Sequence, residues 1–545
     1  MRSAHTVADV RAAEHALMAK VPDGALMRRA AAGLAAICAS LIDRVYGARV
    51  VVLAGSGDNG GDALYAAARL AGRSANVIAI AAGSRLHEAA AAELLARGGR
   101  IVAASDQPAD EGGGLPEWSG SPEWSGSPEW SGSPDRSGSP ERGGADAADA
   151  GAVAGPTRVA IAAADLIIDG LTGIGGRGGL REPAATLASL TERARHDGAL
   201  VIAVDLPSGI DADTGEVRGT AIHADVTVTF GTIKPGLLID PGAECAGPTE
   251  LIDIGLGPYL PEPAVISLQA ADVAAMLPRP SAESDKYRRG VLGLVAGSEQ
   301  YTGAAVLSAG GAIKGGAGMV RLVSAAVAIG VARQHWPEAV LTTYDPDRPQ
   351  QAIETAGRVQ AWAIGPGIGT GETAHALLAA VLASDVPVLV DADGITVLAQ
   401  HRDLLQRQAP TLITPHSGEL ARLLNADRAD IEARRLHYVS AAAAELGITV
   451  LLKGSTTVIA EPGPARPVWV NSTGSSWLAT AGSGDVLSGL AGSLLAQGLP
   501  APAAAAAAAY LHGMAGRLAA RDAPIGASDL LSGIPAAIRA VTTDQ

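Results

Sequence analysis

Short apolar runs recur along this chain, and several end in turns built of glycine and acidic residues. The clearest is Val50-Val51-Val52-Leu53, followed by Ala54-Gly55-Ser56-Gly57-Asp58-Asn59-Gly60-Gly61-Asp62. A run without polar alternation marks a strand buried on both faces, and a helical period follows it over about 63–72. Asn76–Ala81, Ile101–Ala103, Leu166–Ile168, Leu200–Val204 and Val226–Phe230 repeat the strand signal, with helical stretches near 85–97 and from about 183. Residues 5–43 carry a helical period through Val7, Val10, Ala13, Leu17, Leu34, Ile37 and Leu41. Strand and helix in alternation predict a parallel sheet with helices on both faces.

A second series follows the proline-rich stretch Pro258–Ala264, which is the expected domain boundary. Its strands are Val291–Val295, Met319–Val323, Ala361–Ile364, Val388–Val390, Leu412–Ile413 and Val450–Leu452, with a helix over 302–315 and long helices over 486–545. A chain of 545 residues is too long for one core, so the reading is α/β with two domains, 1–258 and 265–545. A net charge of −15 argues against nucleic acid as a partner. An anionic ligand must then be held locally, by main-chain N–H groups and a few placed cations. Cys38 and Cys245 are the only cysteines, which gives no disulfide framework and fits a reducing cytoplasm. The start has no signal-peptide core, and the alanine run after Pro502, with His512 and Arg517 in it, reads as a packed helix rather than a membrane span.

One segment breaks the rhythm. From Pro116 the chain reads PEWSGS three times, then PDRSGS and PERGGA. Proline, glycine and serine dominate, and Trp118, Trp124 and Trp130 are too sparse to build a core, so about 112–145 reads as a disordered insertion.

The stretch with the most chemistry is Asn471–Gly498. Thr480-Ala481-Gly482-Ser483-Gly484-Asp485 runs into the apolar helical pattern Val486, Leu487, Leu490, Leu494 and Leu495. A glycine turn at a helix start aims N–H groups and the positive dipole end at one point, which suits a phosphoryl group. Asp485 stands at the mouth of that hole, where a carboxylate can take a proton from an attacking hydroxyl. Lys453-Gly454-Ser455-Thr456-Thr457 ends another buried strand and offers a cation, N–H groups and hydroxyls to nucleotide phosphates. In the first domain, Gly55, Gly57 and Gly60 form a G-x-G-x-x-G, but the acid that should grip a ribose after the next strand is missing, which disfavours a hydride-transferring site. Asp58, Asn59 and Asp62 read instead as a polar cluster addressing a cation or ligand. Asp169-Gly170-Leu171-Thr172-Gly173-Ile174-Gly175-Gly176 and Asp205-Leu206-Pro207-Ser208-Gly209 follow two further buried strands and point to the same sheet edge.

GSGDNGGD, DGLTGIGGRG, VDLPSGIDADTG and Lys234 in FGTIKPG closely resemble the YjeF N-terminal domain, the NAD(P)H-hydrate epimerase family, over about residues 1–258. The resemblance implies a Rossmann-like α/β/α sandwich. It also implies a potassium ion held by Asn59, Asp169 and Ser208, and a hydrate bound by Asp58, Asn59, Gly60, Gly61, Asp62, Gly173, Ile174, Gly175, Gly176, Arg177, Gly178, Gly179 and Asp205. Asp58 stands where the family usually has Asn, and Ala63 where it has Gly. A carboxylate at the edge of an apolar sheet can assist loss and return of water, so Asp205 is the expected catalytic group, with Lys234 second.

The second domain resembles the NAD(P)H-hydrate dehydratase branch of the ribokinase-like superfamily through KYRRGVLGLVAGSEQYTGA, GPGIG, DADG, TPHSGELARLL, LLKGSTT and ATAGSGDVLSGL, with Asp285 where the family commonly has His. This implies a hydrate site at Ala304, Gly367, His416 and Asp485. It implies a nucleotide site at Lys453, Gly454, Ser455, Thr456, Thr457, Gly482, Ser483 and Gly484. Bacterial members typically use ADP, with Mg2+ expected beside it. Read alone, His416 is more simply a helix-start residue. The implied activity is repair of hydrated NADH and NADPH by a homo-oligomeric enzyme. A sugar or vitamin kinase fused to a binding domain would use the same glycine turn, and the first domain could be a binding or scaffolding module only.

Overall fold

The computed structural model describes residues 1–105, 153–176, 178–279, 285–463 and 466–543. The repeat segment, its tryptophans and Arg177 lie outside the described residues. The strands in chain order are β1 (Arg2–Ala4), β2 (Arg49–Ala54), β3 (Asn76–Ala81), β4 (Arg100–Ala103), β5 (Leu166–Gly170), β6 (Leu200–Val204), β7 (Val226–Phe230), β8 (Thr249–Ile252) and β9 (Val265–Ser267). They continue as β10 (Val291–Val295), β11 (Met319–Ser324), β12 (Val340–Thr343), β13 (Ala361–Ile364), β14 (Val388–Val390), β15 (Thr411–Ile413), β16 (Thr449–Leu452), β17 (Thr457–Ala460) and β18 (Val468–Asn471).

Two sheets result. The first has seven strands in the order β4-β3-β2-β5-β6-β7-β8, every neighbouring pair parallel. All five residues of β5 are buried, as its apolar run requires. The second sheet has eleven strands in the order β1-β9-β18-β17-β16-β15-β14-β13-β10-β11-β12, parallel from β16 to β12. The change of sheet falls between β8 and β9, around the proline-rich stretch. One element crosses back: β1, at the start of the chain, lies antiparallel on β9 with Arg2 opposite Ser267. Apolar residues from both halves, such as Leu237 and Ile239 with Ile413 and Val450, share one buried cluster.

Scarce aromatics are offset by small side chains that let elements approach closely. In the helix Ala501–Ala520 the residues Ala504 to Ala509 are all buried. Among the described residues no helix is long and apolar enough to cross a membrane. The helix Ser483–Ala496 is buried at every position from Val486 onward, lying against the helices Thr302–Lys314 and Ala501–Ala520. That packing fixes where its N-terminus, with the glycine turn, points. One boundary differs from the sequence expectation: the helix after β2 starts at Asp58, not near residue 63. The polar cluster 58–62 is therefore a first helical turn rather than a loop, because Gly57 already supplies the extended N-cap.

Candidate functional site

The first sheet builds one site at the carboxyl ends of β2, β5, β6 and β7. The turn after β2 is held tight against the turn after β5. A Cβ on Gly55 would lie 1.9 Å from the Leu171 carbonyl oxygen, and one on Gly60 would lie 2.2 Å from the Gly55 oxygen. These glycines therefore serve close approach between turns, which explains a G-x-G-x-x-G without a ribose-gripping acid. Asn59 donates from Nδ2 to the Thr172 carbonyl at 2.9 Å. Asp169 is fully buried and accepts from Ser208 Oγ and Ser208 N, both at 2.7 Å, and from Leu171 N at 3.2 Å. Burial raises its pKa to about 6, against the lowering effect of the Ser208 bonds. The Thr172 N–H reaches Ser208 Oγ at 2.9 Å. Asn59, Asp169, Thr172 and Ser208 thus offer oxygens and a single carboxylate, a donor set that fits a hard monovalent cation.

Asp205 follows β6 with φ of 65°, a left-handed conformation strained for a non-glycine residue. Its Oδ1 accepts from Lys234 Nζ, from Thr229 Oγ1 at 3.0 Å and from Phe230 N at 3.1 Å. Lys234 is fully buried and also donates to Thr229 Oγ1 at 3.0 Å and Phe230 O at 3.1 Å. Asp62 Oδ1 is buried without a partner. Burial first, then the charges of Asp205, Asp58 and Glu14, hold its carboxyl well above the usual range. Glu14, from the helix Val7–Met18, is raised chiefly by burial, with Lys234 opposing. Sequence reading passed over Glu14 because it sits on a helix with no local signal. Ile174 is half-buried; Gly176 N bonds to Gly173 O at 2.9 Å, closing the 173–176 turn beside Asn59. Gly178, with φ of 75°, and Gly179 continue that turn toward the main chain at Arg218.

The second sheet builds its site along four adjacent parallel strands. Gly365 follows β13, Asp391 follows β14, His416 lies beyond β15 and Lys453 follows β16. Gly482 caps the helix Ser483–Ala496 with φ of 87°, and a Cβ there would meet Leu307 at 2.5 Å. Only glycine fits that turn. A Cβ on Gly484 would stand 3.6 Å from Lys453 Nζ, so the lysine reaches over the anion hole. Lys453 Nζ bonds to Asp391 Oδ1 at 2.7 Å and lies 3.7 Å from Glu419 Oε2. Burial works against its charge, but Asp391 and Glu419 outweigh it and the pKa is raised. Ser488 Oγ bonds to the other Asp391 oxygen. Burial, with the Asp391 charge adding to it, pushes the Asp485 carboxyl up to about 7.

Some predicted side chains are committed elsewhere. Ser483 Oγ donates to Leu478 O at 2.8 Å and its N–H to Thr480 O at 3.3 Å, so Ser483 shapes the turn while the Gly482 and Gly484 N–H groups face the anion hole. Ser455 Oγ and Thr456 donate to Asp240, while Thr457 opens β17. His416 does cap a helix. Its Nδ1 accepts from Gly418 N at 3.0 Å, and Glu419 returns a bond to His416 N at 2.8 Å. The His416 side chain is still 54% exposed, its Nε2 lies 3.6 Å from Glu419 Oε1, and partial burial lowers the ring's pKa. Gly367, with φ of 63°, is close enough to Ala304 that a Cβ would lie 2.8 Å from the alanine methyl. Asp391, which opens the DADG motif, and His512, in the alanine run, had no site role assigned from sequence, and Arg435 was passed over. Asp391 carried the same signal as Asp169 and Asp205, an acid ending a buried run, whereas the other two come from helices.

Family models match both halves of the chain. One described as "YjeF-related protein N-terminus" matches residues 23–236, and one described as "NAD(P)H-hydrate dehydratase" matches residues 292–535. The protein named bifunctional NAD(P)H-hydrate repair enzyme Nnr of Mycobacterium leprae is 44% identical over 99% of this chain and 100% of its own. Its namesake in Mycobacterium tuberculosis is 44% identical over 93% and 92%. A crystal structure of the ADP/ATP-dependent NAD(P)H-hydrate dehydratase of Bacillus subtilis is similar at 29% identity, with a TM-score of 0.46, over 51% of this chain and 99% of that one. A chain with both sites and this identity over its full length belongs to the family of bifunctional NAD(P)H-hydrate repair enzymes.

Proposed function

We propose that residues 1–258 interconvert the R and S hydrates of NADH and NADPH, and that residues 265–545 dehydrate the S hydrate at the expense of ADP. The observation that carries the second assignment is Asp485 at the mouth of the glycine turn, with Lys453 reaching over Gly484. Asp485 takes the proton of the hydrate's hydroxyl as the hydroxyl oxygen attacks the terminal phosphoryl group of ADP, breaking the phosphoanhydride bond and releasing AMP. The main-chain N–H groups of Gly482 and Gly484 and the Lys453 ammonium stabilise the charge that gathers on that group, each donor worth about 3–4 kcal/mol where well placed. The phosphorylated oxygen then departs as phosphate while the ring loses a proton and regains its double bond. Ala304, Gly367 and His416 border the hydrate. Among the described residues no group of three His, Cys, Asp or Glu side chains could hold a metal ion. Mg2+ would arrive on the nucleotide, bound mostly by phosphate and water.

In the first domain Asp205, charge-paired with Lys234, assists loss and return of water at the hydrated carbon. Asp58, Asn59, Asp62 and the 173–179 turn surround the hydrate. Asn59, Asp169 and Ser208 hold potassium, which supplies a fixed positive charge beside the buried Asp169. Two free, buried cysteines support a cytoplasmic location. The test is incubation of mixed hydrates with ADP or ATP, following the return of reduced-nicotinamide absorbance. Accumulation of a stable phosphorylated product would select a kinase instead.

A further inference from the structure

Asp240 lies on the first-domain side, shortly beyond β7 and Lys234, yet its carboxylate is bound by the loop after β16. Oδ2 accepts from Thr456 N at 2.9 Å, from Thr456 Oγ1 at 3.1 Å and from Ser455 Oγ. Thr456 Oγ1 in turn accepts from Asp240 N at 3.1 Å. From the opposite side the buried Arg435 donates to Lys453 O and Thr456 O, both at 3.0 Å, and to Leu452 O at 3.4 Å. The Thr456 peptide unit is thus held at its N–H by one half of the molecule and at its carbonyl by the other. Lys453, three residues earlier in the same loop, is the side chain that reaches over the anion hole.

We propose that Asp240 is a positioning residue for the nucleotide loop. By anchoring Ser455 and Thr456 across the boundary between the two sheets, it fixes the path of residues 453–456 and so sets the affinity for ADP. This inference rests on the reading of residues 453–457 as the nucleotide loop. Hydrogen bonds to a charged group are the strong ones, and a loop held at both peptide groups loses little further freedom when a phosphate binds. The affinity of the dehydratase site is therefore set in part by a residue of the epimerase half.

The experiment uses the full chain with Asp240→Ala and Asp240→Asn, measuring the ADP KM and kcat of S-hydrate dehydration, the R-to-S rate and melting. Asp240→Ala is expected to raise the ADP KM about tenfold with kcat within about twofold, since three bonds to a carboxylate are lost. Asp240→Asn, which keeps one acceptor oxygen, should raise it about threefold, and epimerisation should run at the wild-type rate in both. An unchanged ADP KM in folded Asp240→Ala would overturn the inference. So would parallel losses of both activities and of melting temperature, with asparagine no better than alanine. If the alanine variant does not fold, an unchanged ADP KM in Asp240→Asn assigns Asp240 to folding alone and overturns it too. A wild-type protein that does not respond to ADP would overturn the underlying reading, and this inference with it, before any variant is compared.

Discussion

His512 donates from Nε2 to the main-chain carbonyl oxygen of Ser483, 2.9 Å away, and so ties the helix Ala501–Ala520 to the residue that starts the helix of Asp485. A carbonyl only accepts, so the proton sits on Nε2. Burial drives the His512 pKa down to about 4, which leaves the ring neutral at working pH.

This bond predicts an acid-sensitive fold. The unfolded chain takes a proton on this ring near pH 6.5 and the folded protein only near 4. His512 therefore contributes stability that is complete above about pH 6.5 and is lost as pH falls toward 4. Replacing it with glutamine, which keeps an N–H donor and cannot titrate, should flatten that part of the melting curve against pH. Replacing it with alanine should lower stability by about 1–3 kcal/mol above about pH 6.5, with a difference that shrinks as pH falls toward 4. A pH-melting profile of the two variants checks both statements.

Asp485→Asn should reduce dehydration by about 10²–10⁴-fold, the usual loss on removing a general base. Nucleotide affinity should change little, because the N–H groups of Gly482 and Gly484 and the Lys453 ammonium remain. Turnover close to that of the unaltered protein would remove Asp485 from the proton transfer.

The same carboxyl gives a pH dependence of both rate and stability. With a pKa of about 7, dehydration should rise with pH through that value as the base form appears, and the limb should vanish in Asp485→Asn. Its pKa stands above the unfolded value of 3.8. The folded protein therefore loses stability as pH climbs from the ordinary carboxylate range to about 7, and the deficit persists above it. Asp485→Asn should accordingly melt higher at pH 8, by about 2–4 °C for each kcal/mol recovered in a domain of this size. That is the expected trade of stability for activity at a buried base.

Much of this was legible before the structure. Buried runs such as Val50–Leu53 and Leu200–Val204 placed the parallel strands, since nothing but a two-sided sheet interior accepts them. Turns such as Asp169-Gly170 and Gly482-Ser483-Gly484 marked the candidate sites. What escaped were contacts whose partners are far apart in sequence. Arg2–Ala4 carries no sign that it will pair with β9, because a three-residue strand has too little pattern to announce its sheet. Asp240 and Ser455 are joined only by the way the halves dock. His512 looked like one polar residue in an alanine helix. The helix start at Asp58 was hidden because Asp, Asn and two glycines read as a turn, while the extended Gly57 and the buried face beyond it made them a first helical turn.

Potassium gives a prediction for the first domain alone. Adding potassium should raise the melting temperature of the unaltered protein and the R-to-S rate, because a cation among the oxygens of Asn59, Asp169 and Ser208 offsets the burial of a carboxylate. Asp169→Asn should remove the potassium dependence of melting. Lithium, which holds its water more tightly, should not substitute.

The claim at the centre of this account is that one chain carries two successive activities in two places. A racemic mixture of hydrates, supplied with excess ADP, tests it most directly when recovered reduced nicotinamide and released phosphate are followed together, within a time short against spontaneous exchange of R and S. The unaltered protein should convert the whole mixture, releasing phosphate in step with recovery. Asp205→Asn, which keeps an acceptor for the buried Lys234, should convert the S share at the normal rate and stop with the R share remaining. Conversion of the whole mixture by folded Asp205→Asn, or loss of S-hydrate dehydration in it, would contradict the account.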